Sequence, residues 1–243
     1  MNLLRTMDLH GRMVMNNLAI IPARSGSKGL KDKNIKLLNN QPLISYTIDA
    51  ANKTGIFSHV MVSTDSKVYA DIAQKYGAEV PFLRSKDNSC DVASSWDVVK
   101  EVLREYAKLG ITFDTVALLQ PTSPLRSDKD IMSAYKLFKE KKASAIISVC
   151  EMEHSPLWCN TLTDDLSMNN FLTNANNRQR QAFKKYYRIN GAIYIVNVKS
   201  FLENSNIYNK NSFAYIMTNN SSIDIDTEFD FRIAEFLMSE RNK

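Results

Sequence analysis

Short apolar runs of strand length alternate along the chain with segments whose apolar residues recur at helical spacing. "NLAIIPA", "HVMVSTD", "DTVALLQ", "SAIISVC" and "NGAIYIVN" read as strands. Between them, Pro42 opens a helix with Leu43, Thr47 and Ala50 on one face. Val68, Ile72 and Tyr76 keep the spacing of a second helix, which Gly77 stops. Ser94-x-x-Asp97 resembles a capping box and predicts a helix with Trp96, Val99, Leu103 and Tyr106 inward, ending near Gly110. Ser127-x-x-Asp130 caps another, with Ile131, Tyr135 and Phe138 inward. Near the C-terminus, "SIDIDTEFDFRIAEFL" predicts a short strand running into a last helix.

This order predicts an α/β, Rossmann-like fold: a mostly parallel sheet with helices on both faces. In such sheets ligands sit beyond the carboxyl ends of the strands, so the residues that follow strands carry the chemistry. The pattern fails in two places. The stretch "MNLLRTMDLHGRMVMNN" (1–17) has four methionines and no continuous apolar run, and reads as a leader outside the fold, with Met13 or Met15 an alternative start. Residues 151–187 contain the asparagine-rich "TDDLSMNNFLTNANNRQRQ" and read as an insertion, a flexible arm or a dimer element. The core domain is then 18–150 together with 188–243.

Composition narrows the function only mildly. A net charge of +5 permits an anionic substrate without calling for a nucleic-acid surface. Cys90, Cys150 and Cys159 lack metal-ligand spacing and leave one thiol over in any disulfide scheme, which favours a reducing cytoplasm. No apolar run approaches the ~18 residues of a membrane span.

Three constellations carry chemistry. In "LAIIPARSGSKGLKDKN" an apolar run ends in a glycine-containing loop with Arg24, Lys28, Lys31 and Lys33. Backbone amides of such a turn can wrap a phosphate while Arg24, Lys28 and Lys33 neutralise it. The spacing is that of neither a Walker loop nor a dinucleotide fingerprint, and a solvated charge run has the same appearance. In "SIDIDTE", alternation puts Ile223 and Ile225 on one face and Asp224 and Asp226 on the other. Paired carboxylates repel unless a cation lies between them, which points to a hard ion such as magnesium shared with substrate phosphates. The same residues also fit a surface strand end, with Thr227-x-x-Asp230 starting the helix. In "LLQPTSPLR", Gln120, Thr122 and Ser123 follow a buried strand, placed to hydrogen-bond a base or sugar or simply to form a proline-stiffened turn.

Taken in order, "IIPARSGSKGLKDKN", "VSTD", "EVPFLRS", "DVASSWDVV", "LLQPTSPLR", "MEHSPL", "RINGAIYI" and "SIDIDTEFDF" resemble the acylneuraminate cytidylyltransferases, or CMP-N-acetylneuraminic acid synthetases, over nearly the whole chain after residue 17. The resemblance implies an enzyme that joins CTP to a nine-carbon 2-keto acid sugar and releases pyrophosphate. It implies a triphosphate site at Arg24, Ser27, Lys28, Lys33 and Asn34, with the cytidine held by Arg84 and Ser95. Gln120, Thr122 and Ser123 would lie between nucleotide and sugar, Arg180 and Tyr194 would line the sugar pocket, and Asp224 and Asp226 would hold Mg2+. The 151–187 insertion resembles an arm through which such enzymes form a homodimer.

The chain departs from the pattern at Trp158, where the resemblance leads one to expect a lysine after the H-x-P-L segment, close to the sugar. An indole and an ammonium make different contacts, so a legionaminic-type nonulosonate joins sialic acid as a candidate substrate. Packing of Trp158 within the arm is the other reading. Histidine offers no obvious general base: His10 is in the leader, His59 opens a strand and His154 lies in the arm. A nucleotidyltransferase using GTP or a sugar-1-phosphate is the alternative activity.

Overall fold

The computed structural model describes residues 15–27, 29–172 and 184–241. Its centre is a 6-stranded sheet in the order β4-β1-β5-β7-β6-β8. The strands are β1 (Asn17–Pro22), β4 (His59–Ser63), β5 (Thr115–Leu118), β6 (Ala145–Glu151), β7 (Tyr187–Asn197) and β8 (Ser212–Met217). β4, β1 and β5 are mutually parallel, as are β6 and β8, and β7 runs antiparallel between β5 and β6. A two-residue ladder, β2 (Leu37–Leu38) with β3 (Gln41–Pro42), leads into the first helix.

Alternation along β1 sends its side chains to two cores. Ala19 and Ile21 face α1 (Leu43–Lys53), α2 (Lys67–Lys75) and α4 (Asp128–Lys141), meeting Ile44, Ile48, Tyr69, Ile131 and Tyr135. Leu18 and Ile20 face α3 (Ser95–Lys108) and α5 (Val198–Glu203), meeting Val99, Val102, Tyr106 and Phe201. Complete burial of Leu18, Ile20 and Ile21 contributes roughly 1.5–3 kcal/mol each, which anchors the strand whose end carries the basic loop. α6 (Glu228–Arg241) closes a third cluster, packing Phe231, Ala234 and Met238 on Leu38, Leu43, Leu125 and Ile225.

The architecture is the expected one, with local corrections. "SIDIDTE" forms no strand and pairs with no ladder, and the sheet's remaining position goes to "SFAYIM", β8. Phe213–Met217 is an apolar run that sequence reasoning passed over, and only Met217 of it is fully buried. In α2 the buried face is Tyr69, Ala70 and Ala73, while Val68 points to solvent and Ile72 and Tyr76 only flank the core. Residues 15–17, read from sequence as part of the leader, belong to the fold. Asn17 starts β1, Asn16 N–H donates to Asp114 at 2.9 Å, and Met15 packs on the first core.

One irregularity shapes the site. The β6–β7 register shifts between Ile147 and Val149, so that residues 190–193 bulge opposite Ser148. Buried Asn190 holds the bulge: its Oδ1 accepts from Ser148 Oγ at 2.6 Å and its Nδ2 donates to Ser222 Oγ at 2.8 Å. That second bond ties β7 to the segment carrying the two aspartates.

Candidate active site

An open cleft of about 750 Å³ lies beyond the carboxyl ends of β1 and β5. Arg24, Ser27, Lys33, Asn34, Arg84, Ser95, Gln120, Thr122, Asp224 and Asp226 all line it. Residues as far apart as Arg24 and Asp226 thus meet at one place.

The basic loop leaves β1 at Pro22 and is pinned at several points. Asp65, just past β4, accepts from Ser25 N–H at 2.8 Å and from Ser25 Oγ at 2.9 Å. Buried Asn34 donates to the Arg24 carbonyl at 3.2 Å. Gly29 passes so close to the acid segment that a Cβ there would stand 2.7 Å from the Asp226 carbonyl oxygen. The loop's charges face carboxylates: Arg24 pairs with Asp91 at 2.7 Å, and Lys33 Nζ donates to Asp226 at 2.8 Å and to the Ile225 carbonyl at 2.6 Å. Lys28 lies outside the described residues.

Arg84, in the loop between α2 and α3, is almost buried against the end of β4, its Nε donating to Ser63 Oγ at 3.0 Å. Burial draws its pKa down to about 10, against the opposing pull of Asp65 and Glu101. Ser95 is the first residue of α3, after the cap at Ser94, so the amino end of a 14-residue helix borders the cleft.

On the far wall, the Ile225 N–H donates to the Thr122 carbonyl at 2.9 Å, joining the acid segment to the loop after β5. Gly191, at φ +74°, leaves a hollow filled by the Gln120 side chain, with Asp224 Oδ2 3.5 Å from the same absent Cβ. Any side chain at 191 would collide with Gln120 and strain the backbone. Asp224 is largely enclosed, and burial, followed by the Asp226 charge, raises its pKa, against a Thr122 hydrogen bond and the Lys33 charge. Its buried Oδ1 has no hydrogen-bond partner among the described residues. Asp226 is mostly exposed. No group of three or more metal-ligating side chains occurs among the described residues. The donor set is a carboxylate pair with one unsatisfied oxygen, which suits a hard cation that draws its other ligands from phosphate. Thr227 and Asp230 also form the helix-starting pair, with Thr227 N–H donating to Asp230 at 2.8 Å, so the structural and chemical readings of this segment coexist.

Other expected residues do not line the cleft. Ser123 is fully buried behind it. Tyr194 packs edge-on against Trp96 at 5.8 Å, and burial, with Tyr208 and Asp224 nearby, pushes its pKa up to about 12. Trp158 ends a short 3-10 turn, Pro156–Trp158, away from the cleft lining. Arg180 lies outside the described residues. No histidine is among the described lining residues; His59 pairs with Glu79 at 2.8 Å.

The family model described as Cytidylyltransferase matches residues 18–227. The chain belongs to the cytidylyltransferase family. It is 38% identical over 228 residues to the CMP-N,N'-diacetyllegionaminic acid synthase of Legionella pneumophila, covering 92% of this chain and 97% of that one. It is 37% identical over 227 residues to the N-acylneuraminate cytidylyltransferase of Escherichia coli O18:K1:H7, covering 93% of this chain. The match takes in 53% of that relative, so the chain spans about half its length. A solved structure of CMP:2-keto-3-deoxy-manno-octonic acid synthetase complexed with CTP shares the fold, with TM-score 0.70 at 16% identity over 93% of this chain and 99% of that one.

The cytidylyltransferase cleft also contains residues that sequence reasoning gave no role. Asn88 and Asp91 line it from an irregular polar stretch without periodicity. Arg126 is fully enclosed and donates to the carbonyls of Gln120 at 3.1 Å and Ala192 at 3.0 Å, bracing the wall from behind. Its place at the end of "LLQPTSPLR" was the available signal.

Proposed function

We propose that the chain transfers a cytidylyl group from CTP to the 2-hydroxyl of a nonulosonic acid, sialic or legionaminic in type, releasing pyrophosphate. One observation carries this reading: in a chain of the cytidylyltransferase family, the basic loop, Arg84, Ser95 and the two aspartates line a single cleft. Arg24, Lys28 and Lys33 would bind the triphosphate, with Ser27 and Asn34 shaping the loop. Arg84 and Ser95 would hold the cytidine, and Gln120 and Thr122 the approach to the sugar, with Ser123 supporting them. Charge developing at the α-phosphate during in-line attack would be met by Arg24 and Lys28. Asp224 and Asp226 would hold Mg2+. That ion, when bound, supplies charge neutralisation on the phosphates and acidifies the attacking hydroxyl.

The orphaned Asp224 oxygen supports the metal assignment, and exchange of Lys33 for magnesium at Asp226 would free Lys33 for phosphate. The sugar side draws on Trp158, Arg180 and Tyr194. Residues 151–187 are read as a dimerisation arm: Leu162, Leu166 and Met168 are exposed in the single chain, as expected of side chains that a second subunit covers. The three cysteines, none in a disulfide, accord with a cytoplasmic enzyme. The test is a matrix of CTP, GTP and UTP against nonulosonic acids and sugar-1-phosphates, scored for pyrophosphate release with magnesium. Turnover confined to CTP with a nonulosonate supports the reading, and turnover only with GTP or a sugar-1-phosphate replaces it.

A further inference from the structure

We propose that Glu101, which does not line the cleft, is a positioning residue that sets the nucleotide wall; this rests on the cytidylyl-transfer reading above. Glu101 lies on α3 with 9% of its surface exposed. A carboxylate so placed is costly unless it is hydrogen-bonded, and its partners all come from one loop. Ser85 N–H donates to Oε1 at 2.7 Å and Ser85 Oγ to Oε2 at 3.0 Å. Asn88 Nδ2 donates to Oε2 as well. These bonds, with the Arg84 charge nearby, outweigh burial and hold Glu101 below the usual glutamate range.

The loop so gripped reaches both ends of the nucleotide site. Arg84 immediately precedes Ser85, and Asn88 itself lines the cleft. Ser89 Oγ donates to the Ser85 carbonyl at 2.7 Å, while the Ser89 carbonyl accepts from Arg24 at 3.4 Å. Asp91 then pairs with Arg24. A single carboxylate on α3 therefore fixes a loop that connects the cytidine side to the phosphate side. An ionised carboxylate is an acceptor only, so it can satisfy two N–H groups and a hydroxyl together. A glutamine of the same shape cannot, because its NH2 faces the N–H of either Ser85 or Asn88.

The test is Glu101→Gln in the full chain, with CTP and the nonulosonate varied separately. Losing a hydrogen bond to a charged group predicts a CTP KM raised about tenfold or more. The sugar KM and kcat should stay within about threefold of wild type. Glu105→Gln, at a half-buried position one turn further along the same helix and paired with Lys108, should match wild type. Equal rises in both KM values, or an unmoved CTP KM, overturn the assignment. Should Glu101→Gln not fold, Ser85→Ala removes one donor to the same carboxylate. A raised CTP KM in Ser85→Ala supports the role, and an unchanged one overturns it. If wild type forms no CMP-sugar, the activity reading falls by itself. Calorimetric CTP binding by wild type and Glu101→Gln then decides the positioning role, with about tenfold weaker binding expected and equal binding overturning it.

Discussion

The cleft proposed to hold the nucleotide and the segments proposed to hold the sugar are built by different means. Arg24 and Lys33 sit on the segment that leaves β1, Arg84 on the loop between α2 and α3, and Ser95 at the start of α3, each beside elements anchored in a core closed within one chain. The residues assigned to the sugar are scattered: Trp158 and Tyr194 are off the cleft lining, and the 151–172 stretch is mostly exposed. A rigid sheet end places charges without help from outside. The exposed 151–172 stretch, with Leu162 and Leu166 in solvent, buries too little to fix its own side chains.

The contrast breaks most severely at the junction of the two halves. Asp224→Asn should lower turnover by ~100-fold or more, the scale on which stabilisation of transition-state charge is lost. The same variant should not weaken the fold. Burial raises the folded-state pKa of Asp224, so the protonated form adds stability at low pH. That contribution is lost as pH rises through the folded pKa, which leaves the ionised group a burden at neutral pH. Asp224→Asn should therefore raise the ligand-free Tm at pH 7 and flatten its dependence on pH. EDTA should abolish wild-type activity and magnesium restore it; full activity in EDTA excludes the metal role.

Arg24→Ala tests the nucleotide half alone. Its CTP KM should rise about 10- to 100-fold with little change in the sugar KM, because a charged hydrogen bond to phosphate is removed. Normal CTP kinetics in both Arg24→Ala and Lys33→Ala would reduce the loop to a solvated charge run. Trp158→Lys tests the sugar half. Wild type should prefer a legionaminic-type acid over N-acetylneuraminate in kcat/KM, and the substitution should shift that ratio about tenfold toward N-acetylneuraminate. A ratio unmoved by the change makes Trp158 a packing residue. The smallest effect concerns the arm. Light scattering should give twice the 27.6 kDa chain mass, and Leu166→Asp should lower it while raising the sugar KM only about threefold. A fully active monomer contradicts the arm assignment.

What could be read from sequence follows the same division. Strands β1, β4, β5, β6 and β7 announce themselves because burial on both faces demands unbroken apolar runs. β8 was passed over although Phe213–Met217 is apolar; as an edge strand it leaves Ala214 and Ile216 exposed and buries only Met217 fully. The acid pair was visible in "SIDIDTE", although the strand expected around it does not form: Ile225 is buried for α6, not for the sheet. Asn88, Glu101 and Arg126 escaped notice because their roles depend on partners 13 or more residues away or on backbone carbonyls, which no local pattern encodes.

The position of β7 has a consequence for the order in which the molecule is made. β6 is synthesised before β7, yet β7 must lie between it and β5. A chain emerging from the ribosome can pair β4, β1 and β5 early, but β5 keeps an unpaired edge until residue 197 has appeared. Until then β6 has no neighbour in the native order, and a direct β5–β6 pairing is the accessible error. The cleft inherits this delay, because Gly191 and Asn190, which seat Gln120 and tether the aspartates, arrive on that same late strand. The residues proposed to bind the nucleotide, Arg24 to Ser95, are thus encoded before the facing wall of the cleft, so the nascent protein completes that cleft only as the sheet closes.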